Sequence, residues 1–432
     1  MKVHAPKGTY DLLPEATLQW RSLETLIHRI FQEYGYGELR TPIFEHTELF
    51  QRGIGETTDI VEKEMFTFSD RGERSITLRP EGTASIVRAY LEHNLVGLGG
   101  VSKLYYYGPM FRCEAPQAGR FRQFVQFGCE ALGSKDPRVD AEIICLAVNF
   151  YRRLGISDLD VNLNSIGCPD CRPRYREKLL NHLRAKAEHL CPNCQRRLER
   201  NPLRLLDCKN KQCQELTEDV PLITETLCDD CGSHFDKLCR LLDAAHVAYR
   251  LNPRLVRGFD YYTKTVFEVL AGDLGSQNAL CGGGRYDGLV AECGGPPTPG
   301  IGFAAGMERL IMVLQARGLM PALSNHTHLY LAPLGAAAQL RLFSLTLDLR
   351  EAGWIIESDL QGRSLKAQLK SADKLGAPLV GIVGDTELAN DQILIRQMDS
   401  GQQEIIPING VAKYLEQFYA KCPLISGREE SK

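Results

Sequence analysis

A charged, cysteine-rich segment at about residues 168–250 interrupts a chain whose flanking segments show the two-residue period of β-strands. Strand periodicity covers residues 76–133 and resumes over residues 255–281, whereas the intervening segment has a helical pattern. A composition that differs from both neighbours is typical of an insertion. We therefore predict a strand-rich core that a helical insertion divides in sequence.

The insertion carries eight of the 15 cysteines of the chain. They form four close pairs, three of them with C-x-x-C spacing: Cys168/Cys171, Cys191/Cys194, Cys208/Cys213 and Cys228/Cys231. Such spacing allows two thiolates to bind one tetrahedral metal ion. The spacing alone leaves two hypotheses open, structural zinc or reduced thiols packed inside a helical module.

Length and charge limit the classes of protein that need to be considered. A chain of 432 residues exceeds one small core, so two or three domains are expected. The formal net charge of −3 means that any nucleic-acid contact must come from a local basic patch. Residues 1–11 show no secretory signal, and no run of about 18 apolar residues occurs. We expect a cytoplasmic protein without a membrane partner.

Helical and alternating patterns define the two ends of the chain. Near the start, five apolar residues recur at helical spacing and predict an amphipathic helix: Trp20, Leu23, Ile27, Ile30 and Phe31. After a linker that follows Gly318, the pattern reads β-α-β-α-β, with strands over 329–333, 354–357 and 379–383 and helices near 336–351 and 364–375. This alternation predicts a small, largely parallel sheet with helices on both faces.

Polar residues that occupy one face of a predicted strand suggest a pocket. A strand over residues 120–130 places Arg122, Phe124, Gln126 and Glu130 on one face, although a solvated sheet face has the same pattern. Glu81 lies just before a predicted helix, where a cap for that helix is an equally simple interpretation. A predicted strand over residues 255–262 supplies further polar side chains.

Four arginines stand at predicted strand ends, in a loop and in a helix: Arg112, Arg120, Arg257 and Arg309. Guanidinium groups bind carboxylate and polyphosphate oxygens in a bidentate manner. The chain contains no phosphate loop of the G-x-x-x-x-G-K-[ST] type, no dinucleotide fingerprint and no Ser-centred elbow. Together with Glu81, Gln126 and Glu130, the arginines suggest a site for an anion and a zwitterion.

The same segments resemble the bacterial histidine–tRNA ligases, a family of class II aminoacyl-tRNA synthetases. The three class-defining motifs have counterparts at residues 38–42, which would be a dimer-interface strand, at residues 108–130 and at residues 300–309. Two segments that mark the histidine family, residues 255–262 and 282–288, are intact. The resemblance extends from residue 7 to about residue 408.

The resemblance implies an α+β fold with an antiparallel-sheet catalytic core. That core would cover residues 1–325, interrupted at about 168–250 by the helical insertion, which would embrace the acceptor stem of the tRNA. Residues 326–432 would form a C-terminal α/β anticodon-binding domain. The implied activity is ligation of L-histidine to its tRNA at the expense of ATP, with Mg²⁺, in a homodimer.

The resemblance also implies roles for individual residues. Glu81 and Thr83 would hold the substrate α-amino group, Gln126 would help to fix the amino-acid head, and Glu130 and Tyr262 would read the imidazole ring. Residues assigned to histidine binding are Glu81, Gly82, Thr83, Gln126, Glu130, Tyr261 and Tyr262. Arg112 and Arg257 would clamp the reacting carboxylate and the α-phosphate. Phe124 would stack on adenine, and Arg120 and Arg309 would hold the outer phosphates. No metal ligand is assigned at this site.

Three alternatives compete with this interpretation. One is a non-catalytic, synthetase-like regulatory subunit of ATP phosphoribosyltransferase; relatives of that kind typically lack the anticodon domain and the signature at residues 257–262, and both are present here. Another is a class II synthetase for glycine, proline or threonine. The third is a zinc-stabilised RNA-binding module without chemistry, which would leave the arginines unexplained.

Overall fold

The computed structural model describes residues 3–55, 58, 60–116, 119–272, 279–321 and 327–420. The chain divides into two compact units, Met1–Pro321 and Ala322–Lys432. The domain boundary predicted from sequence, between residues 325 and 326, falls within residues 322–326, which lie outside the described residues. Within the described ranges, no helix is both long enough and apolar enough to cross a membrane.

The described part of the first unit contains two sheets. Its strands are β1 (Gly37–Glu38), β2 (Phe44–His46), β3 (Phe66–Ser69), β4 (Ser75–Leu78), β5 (Ser102–Phe111), β6 (Gln123–Leu132), β7 (Leu159–Ser165), β8 (Arg250–Leu251), β9 (Thr263–Ala271), β10 (Ala279–Arg285) and β11 (Gly300–Gly306). The large sheet has eight strands in the order β1-β5-β6-β11-β10-β9-β7-β8, and β2-β4-β3 form a small sheet. All pairs from β5 to β7 in the large sheet are antiparallel, and only its two edge strands pair in parallel.

Helices cover the sheet of the first unit and form the insertion. They are α1 (Pro14–Glu33), α2 (Thr47–Ile54), α3 (Thr83–Glu92), α4 (Pro137–Arg153), α5 (Cys171–Leu183), α6 (Pro192–Arg200), α7 (Lys211–Leu216), α8 (Asp229–Ala244), α9 (Leu289–Glu292) and α10 (Met307–Ala316). The five apolar residues predicted for one face of α1 are all buried in the main core. Burial of each such side chain is worth about 1.5–3 kcal/mol, so this face fixes α1 against the sheet.

The insertion begins and ends beside the large sheet, after β7 and before β8. Its helices α5 to α7 pack around a cluster of buried residues that includes Tyr175, Leu179 and Leu205. Helix α8 instead contributes Phe235 and Leu238 to the main core, in the same cluster as α4. The last helix of the predicted insertion therefore packs with the sheet-covering helices.

Three predicted strands differ from the structure. The segment 255–262 is a loop that leads into β9, and the side-chain amide of Asn164 donates to the carbonyl of Leu255 at its start over 3.0 Å. Strand β6 begins at Gln123, and Arg120 makes only an isolated bridge before it. Within the motif at residues 38–42, only Glu38 lies in a strand, which is β1. Pro42 has no N–H group to donate to a neighbouring strand.

The second unit is a five-stranded sheet with helices on both faces. Its elements are α11 (Ala336–Glu351), α12 (Leu365–Lys374), α13 (Asp385–Ala389), α14 (Val411–Ala420), β12 (Leu329–Pro333), β13 (Ile356–Ser358), β14 (Leu379–Val383), β15 (Gln392–Gln397) and β16 (Gln403–Pro407). The strand order is β13-β12-β14-β15-β16, with the first three strands parallel. The predicted β-α-β-α-β pattern is confirmed, although the middle strand begins two residues later and ends one residue later than predicted. The antiparallel hairpin of β15 and β16 was not predicted.

Candidate active site

A cavity of about 1010 Å³ opens over one face of the large sheet. Side chains from β6, β9 and β10, from the starts of α3 and α10, and from the loop before β9 line it. Among the lining residues are nearly all of those singled out from the sequence: Glu81, Thr83, Arg112, Arg120, Phe124, Gln126, Glu130, Arg257, Tyr261, Tyr262 and Arg309. The sheet thus brings together residues that are up to 228 positions apart in the chain.

Gly82 differs from the other predicted site residues because it is not part of the cavity lining. A Cβ atom at Gly82 would lie 2.4 Å from the ring of Tyr106. The absence of a side chain therefore lets Tyr106 pack under the loop that carries Glu81 and Thr83. The hydroxyl of Tyr106 in turn donates to the side-chain oxygen of Gln126 over 3.3 Å.

Strand β6 presents Phe124, Gln126 and Glu130 to the cavity, as the alternation of the sequence predicts. Arg122, predicted for the same face, precedes the strand, and its Nε–H donates to the carbonyl of Glu114 over 3.3 Å. Its alkyl chain packs on Gly8. Arg122 is therefore a loop residue outside the cavity lining.

Glu81 has both roles that its sequence position permits, a cap for α3 and a residue of the cavity wall. Its two carboxylate oxygens accept the backbone N–H groups of Thr83 and Ala84 over 2.7 and 2.8 Å, so it caps α3. It is also buried at the cavity wall, and burial raises its pKa despite these bonds. A carboxylate has about four acceptor positions, so two remain for a donor in the cavity.

Glu130 is the most deeply buried acidic group of the cavity. Its two oxygens accept the hydroxyls of Thr83 over 2.7 Å and Tyr286 over 2.5 Å. Burial raises the pKa of Glu130 to about 8, more than the two hydroxyls lower it. A Cβ at Gly302 would lie 1.8 Å from its Oε2, so only glycine leaves room for the carboxyl here. Glu130 therefore lies in a small polar pocket of the cavity wall.

Three tyrosines complete this pocket. The rings of Tyr261 and Tyr262 have centroids 4.6 Å apart, and Tyr261 meets Tyr286 edge-on at 5.7 Å. Burial raises the pKa of each phenol, so all three carry their protons at neutral pH. Sequence reasoning missed the contact of Tyr286 with Glu130, although Tyr286 lies within the marked segment 282–288.

Two of the arginines form a second wall. Nε–H of Arg112 donates to the carbonyl of Pro80 over 3.0 Å, and its guanidinium lies 5.3 Å from the ring centroid of Phe124. Nη1 of Arg257 donates to Glu268 over 3.2 Å. Its Nε–H is buried and has no partner among the residues that the structure describes. A Cβ at Gly282 would lie 2.3 Å from this guanidinium, so the glycine allows it to lie against the sheet.

The other two arginines lie close to each other. Nη1 of Arg309 donates to the carbonyl of Ala279, and Arg120 pairs with Glu114, both over 3.0 Å. Burial lowers the pKa of Arg309, and the positive charge of Arg120 lowers it further. Two neighbouring cations repel each other, so an anion bound between them is favoured.

Several acidic residues at the cavity were not anticipated, among them Glu268 and Glu114. Glu268 on β9 stands opposite Gly282 in the ladder, and Glu114 belongs to the loop after β5. Glu268 could have been found from the two-residue alternation of side chains along β9, but it belongs to none of the sequence motifs. Each carboxylate sits beside one arginine, Arg257 or Arg120, and leaves oxygens open to the cavity.

The insertion also reaches the cavity. Arg204, Asp207 and Lys209 form part of the lining, and Nη1 of Arg204 donates to the carbonyl of Arg257 over 3.0 Å. The arrangement as a whole combines a buried pocket of carboxyl and hydroxyl groups with six guanidinium groups, those of Arg112, Arg120, Arg204, Arg254, Arg257 and Arg309. It is suited to holding a polyphosphate beside a small polar zwitterion.

Comparison with known protein families agrees with this chemistry. Residues 8–310 match the family model described as histidyl-tRNA synthetase, and residues 328–418 match the one described as anticodon binding domain. The histidine–tRNA ligase of Desulfitobacterium hafniense is 56% identical over 411 residues, covering 94% of this chain and 96% of that protein. The ligase of Pelotomaculum thermopropionicum is 50% identical and covers 99% of both chains.

Solved structures of related proteins are also similar to this chain. The histidyl-tRNA synthetase of Staphylococcus aureus without ligands has a TM-score of 0.82 and 37% identity, and covers 96% of this chain and 100% of that one. A Bacillus halodurans protein described as an ATP phosphoribosyltransferase regulatory subunit/histidyl-tRNA synthetase has a TM-score of 0.62 and 21% identity, covering 86% of this chain and 97% of that one. The second likeness shows a shared fold only.

Proposed function

Because the chain belongs to the histidyl-tRNA synthetase family, we propose that it ligates L-histidine to its tRNA in two steps at the cavity described above. In the first step, the histidine carboxylate attacks the α-phosphorus of ATP, the bond to the β-phosphate oxygen breaks, and pyrophosphate leaves. In the second, the terminal ribose hydroxyl of the tRNA attacks the carbonyl of the adenylate, and AMP leaves. The observation that carries this proposal is the convergence of four arginines with Glu81 and Glu130 on one cavity.

Histidine binds in the polar pocket. Glu81 and Thr83 hold its ammonium group, and the two free acceptor positions of the Glu81 carboxylate support this role. Gln126 helps to fix the amino-acid head, while Glu130 and Tyr262 contact the imidazole, with Tyr261 beside them. A wrong amino acid leaves these buried polar groups unpaired, and discrimination of about 10⁴ is then attainable without editing.

The arginines hold ATP and stabilise the transition state. Arg112 and Arg257 contact the reacting carboxylate and the α-phosphate, and the position of both guanidinium groups in the cavity lining supports this role. Arg120 and Arg309 hold the outer phosphates, and Phe124 stacks on adenine. Attack by a carboxylate requires alignment and neutralised charge but no general base, because the nucleophile is already ionised.

Magnesium fits the same site. Carboxylate oxygens are the protein ligands that Mg²⁺ prefers, and Glu114 and Glu268 both line the cavity. These two residues would hold Mg²⁺ together with phosphate oxygens. The ion supplies further neutralisation of the phosphate charge.

The tRNA contacts both units of the chain. The loop at residues 113–119 touches the acceptor end of the tRNA. Residues 117–118 of this loop lie outside the described residues. The insertion embraces the acceptor stem, and the basic residues that it places at the cavity rim, Arg204 and Lys209, support this role. Residues 328–418 contact the anticodon, as the family match indicates.

We also propose a cytoplasmic homodimer. The exposed apolar side chains of Ile43 and Phe44, next to the short edge strand β1, support an interface at the first class-defining motif. A molar mass near twice 48.3 kDa by light scattering is expected. A monomer at micromolar concentration would contradict this part of the proposal.

The regulatory alternative is not favoured. The relatives named as histidine–tRNA ligases match nearly the whole chain, and the region matched as an anticodon-binding domain is present. The segment 257–262, which such regulators typically alter, contributes Arg257, Tyr261 and Tyr262 to the cavity. A catalytic enzyme accounts for this complete set of residues.

The experiment is amino-acid-dependent ATP–pyrophosphate exchange with each of the twenty common amino acids. We expect exchange with histidine alone. Exchange with glycine, proline or threonine would assign the chain to another synthetase. No exchange with any amino acid would favour the regulatory alternative.

A further inference from the structure

The eight cysteines of the insertion form two groups, each of the size of a single metal site. The root site consists of Cys168, Cys171, Cys228 and Cys231, and the tip site of Cys191, Cys194, Cys208 and Cys213. Within each group, all four sulfur atoms lie within 4.8 Å of one another. We propose that each group binds one Zn²⁺ ion through four thiolates.

The distances between sulfur atoms fit one tetrahedral ion. Zinc–sulfur bonds of about 2.3 Å place the corners of a tetrahedron about 3.8 Å apart. Cys168 Sγ lies 3.6 Å from Cys171 Sγ and 3.9 Å from Cys228 Sγ, and Cys191 Sγ lies 4.0 Å from Cys208 Sγ. A disulfide requires a sulfur separation of about 2.0 Å. These pairs are therefore too far apart for disulfides and well placed for a shared ion.

Backbone N–H groups point at the sulfur atoms of both sites. The N–H of Cys228 donates to Cys171 Sγ over 3.1 Å, and the N–H of Cys191 donates to Cys213 Sγ over 3.2 Å. In each case the donor belongs to a different cysteine pair from the acceptor. Hydrogen bonds of this kind orient metal ligands and stabilise their negative charge.

Zinc also explains how so small a module stays folded. Helices α6 and α7 have nine and six residues, which is too short for stability on their own. The root site joins the beginning of the module to its last helix, because Cys168 precedes α5 and Cys231 lies in the first turn of α8. The tip site joins the start of α6 to α7. The two ions thus replace a larger apolar core.

The tip site is connected to the catalytic cavity. Between Cys194 and Cys208, the amide of Asn201 donates to Asp260 over 2.7 Å, and Arg204 donates to the carbonyl of Arg257 over 3.0 Å. Asp260 and Arg257 both belong to the loop before β9. An ion at the tip site therefore fixes a segment that supports this loop from the side of the insertion.

The test is the metal content of the full-length protein, purified without chelator and measured by inductively coupled plasma mass spectrometry. We expect two zinc ions per chain in the wild type. Cys208→Ser and Cys228→Ser should each retain one. Cys145→Ser, which changes a cysteine of the main core outside both groups, should retain two.

A second measurement does not depend on folding of the variants. Cobalt exchanged into the wild-type protein should give sulfur-to-cobalt charge-transfer absorption that saturates at two equivalents. One equivalent or less of zinc, iron in place of zinc, or disulfides among the eight cysteines by mass spectrometry would each overturn the proposal.

Discussion

The catalytic cavity and the cysteine-rich insertion reach their geometry by opposite means. The cavity draws its charged side chains from segments as distant as Glu81 and Arg309, so its shape depends on the whole antiparallel sheet. The insertion gathers eight thiols from about 64 consecutive residues, with short helices between them. A site assembled on a large core tolerates buried charge, whereas a small module requires strong local bonds between its segments, such as those to a metal ion.

The largest effect should follow from removing one arginine of the cavity. Arg257→Ala should lower the rate of histidine-dependent exchange by about 10²–10³-fold, because its bonds strengthen in the transition state. Histidine affinity, measured by calorimetry, should change much less. Arg250→Ala is the control, since that side chain is 77% exposed and pairs with Asp160 at the surface. An unchanged exchange rate would remove Arg257 from the mechanism.

Removal of the buried carboxyl should affect binding. Glu130→Ala leaves the hydroxyls of Thr83 and Tyr286 without their acceptor, and histidine should bind about 10–100-fold more weakly by calorimetry. Glu92→Ala, an exposed glutamate on α3, is the matched control. Unchanged histidine affinity in Glu130→Ala would contradict the assigned role.

A smaller effect should connect the two regions. Cys208→Ser should lower the exchange rate by roughly tenfold, because the segment that supports the loop at Arg257 becomes less well positioned. The same variant should lose one zinc ion, whereas Cys145→Ser should change neither quantity. Loss of zinc with full exchange activity would show that the two regions are independent.

The remaining effect concerns the pH dependence of stability. The pKa of Glu130 is raised to about 8 in the folded protein, so the folded state holds a proton that the unfolded state has lost. Stability attributable to this group is therefore present at acid pH and falls as pH rises to about 8, by up to about 1.4 kcal/mol per pH unit.

Glu130→Gln cannot titrate and serves as the reference. From pH 5 to pH 8, the Tm of the wild type should fall relative to that of Glu130→Gln by about 2 °C per pH unit. Parallel Tm curves for the two proteins would show that the carboxyl is not kept neutral by burial.

Much of the fold follows from local pattern. The apolar face of α1 and the alternation of Phe124, Gln126 and Glu130 in β6 depend on neighbours in the chain, and these predictions are confirmed. The class II synthetase fold and the activity of the family, inferred from three motifs and two signatures, are confirmed by the comparisons. The individual roles of the site residues stay predictions.

Other features depend on long-range packing and could not be predicted. The loop at residues 255–262 is held at its start by Asn164, some 90 positions earlier, whose side-chain amide donates to the carbonyl of Leu255. The contact of Tyr286 with Glu130 and the pairing of Arg257 with Glu268 require the register of the sheet. The spacing of the cysteines in the sequence shows which of them form close pairs, but it does not show which two pairs share a site. The division of the eight cysteines into two groups therefore depends on the folded insertion.

The most direct measurement is the transfer of labelled histidine to its tRNA by the purified chain with ATP and Mg²⁺. We expect that nearly every tRNA molecule with an intact terminal ribose becomes charged, with one AMP and one pyrophosphate released for each histidine transferred. A preparation that consumes no ATP and charges no tRNA, although it binds histidine, would contradict this expectation.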